Sequence, residues 1–153
     1  MSTRTKLTKT FTHISGCLLV VLLVLSVVSG CSQSGQVTID PGQEVSIAIG
    51  QTVSISSEPV KIKFAEVIND SRCANGVECI WQGEVSCRLE ITYRNTSYTK
   101  IITQPGLTAD PSSADFNDYV LKFKVQPYPE AGKSIKSSDY RLQLTVDKKP
   151  GSE

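Results

Sequence analysis

Cys73 and Cys79 stand six residues apart in the stretch 70–83, D-S-R-C-A-N-G-V-E-C-I-W-Q-G, which also holds Trp81, the only tryptophan of the chain. Asn75-Gly76 lies between the two cysteines. Both residues tolerate positive φ, so the chain can reverse there and bring Cys73 towards Cys79. Closing a loop of about seven residues removes unfolded-chain entropy worth about 2.4 kcal/mol, against about 5–15 kcal/mol for a whole domain. A disulfide at this position would therefore weigh heavily in stability.

The other reactive groups are few. Cys87 alternates with Val85 and Leu89 on one apolar face, which predicts a buried thiol acting as a small hydrophobe. The rival pairing uses Cys87 and leaves Cys73 or Cys79 free on the loop, where it could do redox chemistry, although no C-x-x-C pattern accompanies it. Glu66, Asp70, Glu78 and Glu84 flank the turn and could supply the acid and base of a hydrolase. Their simpler reading is surface charge, with Asp70 forming an Asx turn that accepts from the backbone N–H of Arg72. Asp110, Asp115 and Asp118, with Asn117, could hold a hard cation such as calcium, but their spacing does not match a calcium loop. No metal ligand set and no cofactor is expected. Asn95-Thr96-Ser97 fits a glycosylation acceptor.

Histidine is the telling absence. The single histidine is His13, so the chain beyond it has none, and no serine or cysteine nucleophile there can find a histidine base. Trp81 falls in phase with the apolar positions that follow it, which predicts an inward-facing aromatic packed on the disulfide. The alternative is a ligand-contacting anchor, with Asp70 and Arg72 beside it as further binding candidates.

Arg4, Lys6 and Lys9 form a basic start, residues 16–28 are an almost unbroken apolar run without charge, and Val28-Ser29-Gly30-Cys31 reads as a lipobox. Residues 1–30 are therefore expected to be a lipoprotein signal peptide, with Cys31 acylated, palmitate included, at the mature N-terminus. The run is too short for a transmembrane helix. Acyl chains contribute about 0.8 kcal/mol per buried methylene, so the anchor would hold a small domain at the bilayer. Ser32 resembles the residue that sorts lipoproteins to the outer membrane of two-membrane bacteria; with one membrane, the anchor is the cell membrane. Of sixteen Lys and Arg, three leave with the leader, against fifteen Asp and Glu, so the mature net charge is about −2. Neither nucleic acid nor an anionic membrane surface is an expected partner.

The 123 residues from Cys31 onward suffice for one domain. Residues 31–43 are assigned to the lipidated cysteine and a tether, with Val37-Thr38-Ile39 a possible early strand; 44–148 form the domain and 149–153 a polar tail. Period-2 patterns run through Val45, Ile47 and Ile49, then Val53 and Ile55 after a Gly-containing turn, then Val60, Ile62 and Phe64. The phase slips between Ala65 and Val67, which predicts a bulge. From Cys79 to Tyr93 odd positions are mostly apolar and even positions polar. Asn95-Thr96 turns the chain into 97–103, whose mixed phase suits a sheet edge. Residues 104–118 read as a long loop with room for one helical turn. Tyr119, Leu121, Phe123 and Val125 face inward until Pro127 and Pro129, and Tyr140, Leu142, Leu144 and Val146 repeat the pattern. About eight short strands without a capped 3.6-period segment predict an all-β, antiparallel two-layer β-sandwich of immunoglobulin-like type.

The block D-S-R-C-x-x-G-V-x-C-x-W-x-G-x-V, with V-Q-P-Y-P-E-A-G-K-S-I-K-S-S-D-Y-R-L-Q-L-T-V near the end, resembles a group of small bacterial lipoproteins and secreted domains with no assigned activity. The likeness covers 45–146. It implies a shared Cys73 and Cys79 pair and a small β domain. Members often have Pro after the first cysteine, where this chain has Ala74, which implies a less rigid loop here.

These features favour a lipid-anchored cell-envelope lipoprotein, not an enzyme, serving as a structural or partner-binding module with an envelope protein as the expected partner. The competing readings are an envelope redox protein or hydrolase using a loop cysteine or carboxylates, and a calcium or small-ligand binder.

Overall fold

The computed structural model describes residues 35–108 and 110–151. The expected leader, the lipobox and Cys31 lie outside the described residues. Nine strands follow one another: β1 (Gln36–Ile39), β2 (Glu44–Ala48), β3 (Thr52–Ile55), β4 (Val60–Asp70), β5 (Glu84–Tyr93), β6 (Thr96–Pro105), β7 (Ser112–Phe116), β8 (Tyr119–Gln126) and β9 (Arg141–Lys148). They form two sheets, ordered β1-β3-β4-β5-β6 and β2-β9-β8-β7. The fold is an all-β sandwich.

The alternation read from the sequence is what closes it. Val53, Ile62, Phe64, Leu89 and Ile91 of the first sheet bury against Ile47, Leu121, Phe123, Leu142 and Leu144 of the second. Full burial of each such side chain contributes about 1.5–3 kcal/mol, enough to fix which face of every strand points inward.

Four details differ from the sequence reading. β1 precedes residue 44 and pairs in parallel with β3, Gln36 opposite Thr52, so residues assigned to the tether belong to the first sheet. β2 and β3 do not pair with each other: β2 pairs with β9 and β3 with β4, so the turn at Gly50 carries the chain from one sheet to the other. The supposed loop 104–118 contains β7, paired with β8 from Ser112 opposite Phe123 to Phe116 opposite Tyr119. Its residues S-S-A-D-F lack a strong apolar alternation, and pairing with β8 creates the strand. The reversal between β5 and β6 is made by Arg94 and Asn95, both at positive φ, with Thr96 already in β6 opposite Tyr93.

The expected bulge is present. The β4–β5 register shifts between Phe64 and Glu66 and again between Val67 and Asn69. Each shift adds local twist, and together they aim the end of β4 into the cysteine loop. β6 is an edge strand, and β8 stops before Pro127.

Candidate functional site

The loop 71–83, between β4 and β5, sits at one pole of the sandwich. Its stem continues the strand pairing: the Ser71 N–H donates to the Glu84 carbonyl at 2.8 Å and the Cys73 N–H to the Gln82 carbonyl at 3.0 Å. At its tip the Val77 N–H donates to the Ala74 carbonyl at 3.2 Å across Asn75-Gly76, with Gly76 at φ +84°. That turn brings Cys73 and Cys79 together, and they are disulfide-bonded. The loop is tied sideways as well. The Asn75 N–H donates to the Pro129 carbonyl and the Ala131 N–H donates to the Asn75 carbonyl, joining it to the segment between β8 and β9.

Below the disulfide lies a buried ionic clamp. The Arg72 side chain is wholly enclosed and that of Asp70 nearly so. Arg72 Nε and Nη2 donate to the two Asp70 carboxylate oxygens at 2.8 and 2.6 Å, a bidentate pairing. Nη1 donates to the Val125 carbonyl at 2.9 Å, and Nη2 also reaches the Pro127 carbonyl at 3.0 Å. The guanidinium lies 5.0 Å over the Tyr128 ring, and the Tyr140 hydroxyl donates to Asp70 at 3.0 Å. The Arg72 N–H donates to Asp70 Oδ1 at 3.3 Å, which is the expected Asx turn. Burial alone would raise the Asp70 pKa. The hydrogen bonds and charge of Arg72, its backbone N–H and the Tyr140 hydroxyl outweigh burial and hold the carboxyl below its usual range. Burial, with the Asp70 charge behind it, pushes Tyr140 up to about 12.

Asp70 and Arg72 are thus committed to each other and to the second sheet. A ligand could reach either only by breaking the clamp, so the two binding candidates act as the loop's foundation. Tyr140, Tyr128 and the Val125 and Pro127 carbonyls complete this network and were not identified from sequence. Tyr140 and Val125 were legible only as inward-facing strand residues.

Trp81 does not face inward: it is 77% exposed, and the adjacent Ile80 is fully exposed. β5 begins only at Glu84, so residues 79–83 lie outside the pleat and the alternation does not extend back to them. Gly83 breaks it. It has φ +66°, and a Cβ there would come within 1.8 Å of the Ser71 carbonyl oxygen. Gly106 is pressed as closely against the Gln82 carbonyl, and its N–H donates to the Gly83 carbonyl at 2.9 Å. Leu107 is thereby held beside the loop, exposed, with its N–H donating to the Tyr128 hydroxyl at 2.9 Å.

The remaining groups are engaged separately. Cys87 is a free, buried thiol whose pKa burial pushes up to about 12; the nearby Arg72 charge lowers it and that of Asp70 raises it. It is therefore overwhelmingly protonated at neutral pH, and thiolate chemistry is closed to it. Because Cys73 and Cys79 are paired, neither offers the free loop thiol of the rival pairing. Glu66 pairs with Arg88 at 2.9 Å, Asp115 with Lys149 at 3.2 Å, and Asp118 accepts from the Tyr93 hydroxyl at 3.2 Å. Among the described residues no three His, Cys, Asp or Glu side chains gather as metal ligands would. An open groove of about 350 Å³ on the outer face of the first sheet is lined by Lys61, Lys63, Glu90 and Tyr98, with Lys63 and Glu90 paired at 2.9 Å.

The fold and this pole define a disulfide-stapled all-β sandwich domain that holds a rigid loop outward. No protein-family model, curated protein or solved structure matches the chain.

Proposed function

We propose that this chain is a lipid-anchored bacterial cell-envelope lipoprotein that serves as a structural or contact-making module rather than an enzyme, and that the cysteine loop is its working surface. The observation that carries the reading is the pairing of rigidity with exposure. Disulfide, ionic clamp and two close glycine contacts stiffen a loop whose most outward residues, Ile80 and Trp81, are large and apolar. Stiffening such a surface lowers the entropy cost of binding, which suits a docking element. The lipobox, basic start and apolar run support the anchor, and the histidine-free mature sequence argues against the commonest acid–base machinery.

The test has two arms. Cys31→Ser should release the protein from the membrane fraction while leaving the fold intact, and continued membrane association would count against the anchor. A photo-crosslinking residue at Gln82 in living cells should give a defined adduct, to protein or to lipid, that disappears with Trp81→Ala. Absence of any adduct would argue against a contact at this face.

A further inference from the structure

We infer that the surface covering Ile80, Trp81 and Leu107 is the interface of the bilayer that carries the anchor, so that the protein touches its membrane twice. The inference rests on the lipoprotein reading above and adds the occupant of the loop.

Its first support is the direction of the chain. β1 runs parallel to β3, and β3 runs antiparallel to β4, whose C-terminal end leads into the cysteine loop. The N-terminal end of β1 therefore points to the cysteine pole. Gly35, whose carbonyl accepts from Thr52, leaves the sheet in that direction. Three residues separate Gly35 from Cys31, four Cα steps in all, a reach of at most about 14 Å. The level of Thr52 on β4 is Lys63, seven residues before Asp70, or about 23 Å along the strand. A tether shorter than that rise keeps the domain against the bilayer and tilts it, so that the loop and the β1 edge lie at the surface together.

The second support is the distribution of exposed apolar side chains. Of the eight large hydrophobics exposed among the described residues, Ile68, Val77, Ile80, Trp81 and Leu107 lie at the cysteine pole, and Val37, Tyr98 and Ile101 lie on the edge strands β1 and β6. The turns of the opposite pole are polar, with Asp40-Pro41-Gly42-Gln43, Ser57-Glu58, Arg94-Asn95 and Asn117-Asp118, and contribute none of the large exposed hydrophobics. An indole flanked by aliphatic side chains suits the headgroup boundary, where an apolar ring and a polar N–H are both satisfied.

Trp81 is the sole tryptophan, so its emission reports this one position. The full acylated protein is reconstituted into phosphatidylcholine vesicles with and without bromine on the acyl chains, and the Cys31 peptide is weighed by mass spectrometry. Bromolipid should quench Trp81 emission by roughly half, and neutral acrylamide should quench it several-fold less than in detergent-free buffer after proteolytic release of the anchor. Ile80→Ser, at a fully exposed position, should weaken bromolipid quenching with no change of fold. An acylated chain whose Trp81 stays open to acrylamide and blind to bromolipid overturns the inference alone. Protection from acrylamide without bromolipid quenching means a protein or a second copy covers the loop, and also overturns it. A Cys31 peptide without acyl groups removes the lipoprotein reading and the inference together.

Discussion

Arg72 and Val125 join the two sheets: Nη1 of Arg72 donates to the Val125 carbonyl at 2.9 Å, while the Val125 N–H donates to Oε1 of Gln104 at 2.7 Å. β7 pairs with β8 only as far as Phe123, so the next stretch of β8 lacks a strand on that side. Two buried side chains, Gln104 of β6 and Arg72 of the cysteine loop that follows β4, supply the missing hydrogen bonds. The position of the cysteine loop on the sandwich follows from this splice.

Arg72→Met should lower unfolding free energy by about 3–5 kcal/mol, because it strands the Asp70 carboxylate and the Val125 and Pro127 carbonyls. Lys63→Met, which breaks the exposed pair with Glu90 at 2.9 Å, should cost less than about 1 kcal/mol. Urea titration of both variants measures the contrast; equal losses would contradict a clamp at Arg72.

The acid limb of stability should report Asp70. Its carboxyl is held below the ordinary value of 3.8 in the folded state, so the unfolded chain takes up a proton first as pH falls. Its contribution is complete above pH about 4 and is lost as pH falls through the folded-state value. Asp70→Asn should be less stable at neutral pH and show a shallower decline as pH falls below about 4. An unchanged slope in thermal melts across that range would remove Asp70 from the account.

Gly83→Ala should destabilise by at least about 1–3 kcal/mol, since the position has φ +66° and its Cβ would collide with the Ser71 carbonyl. The loop should loosen as well. Amide exchange at Ser71 and Cys73, whose N–H groups bond across the stem, would speed up more than exchange in β8 if the damage is local.

Thiol titration separates the cysteines. The native unreduced domain should show no reactive thiol, and denaturation without reductant should expose one, Cys87. Replacing both Cys73 and Cys79 with Ser should lower stability by about 2–3 kcal/mol. A thiol that reacts in the native state would return redox chemistry to consideration.

Trp81→Ala should leave stability within about 0.5 kcal/mol of the parent, because the side chain is 77% exposed. Calorimetry checks it. A large loss would mean the indole packs on the loop as the phase of the sequence suggested.

By itself the sequence determined the faces of the strands. Period-2 runs such as Leu142, Leu144 and Val146 have one arrangement that hides their apolar side chains, so fold class, the β4 bulge and buried Cys87 were all legible before any coordinates. The Cys73 and Cys79 pair was legible too, because Asn75-Gly76 brings near neighbours together. Tertiary structure alone decided the rest. Partners distant in sequence carry no local pattern: Arg72 finds Val125 at a separation of 53 residues and Asp70 finds Tyr140 at 70. The strand β7 exists because β8 pairs with it, and β2 parts from β3 because β9 offers it an edge. Trp81 turns outward because alternation is a property of a pleated strand, and the carbonyls that crowd Gly83 and Gly106 end the pleat before reaching it.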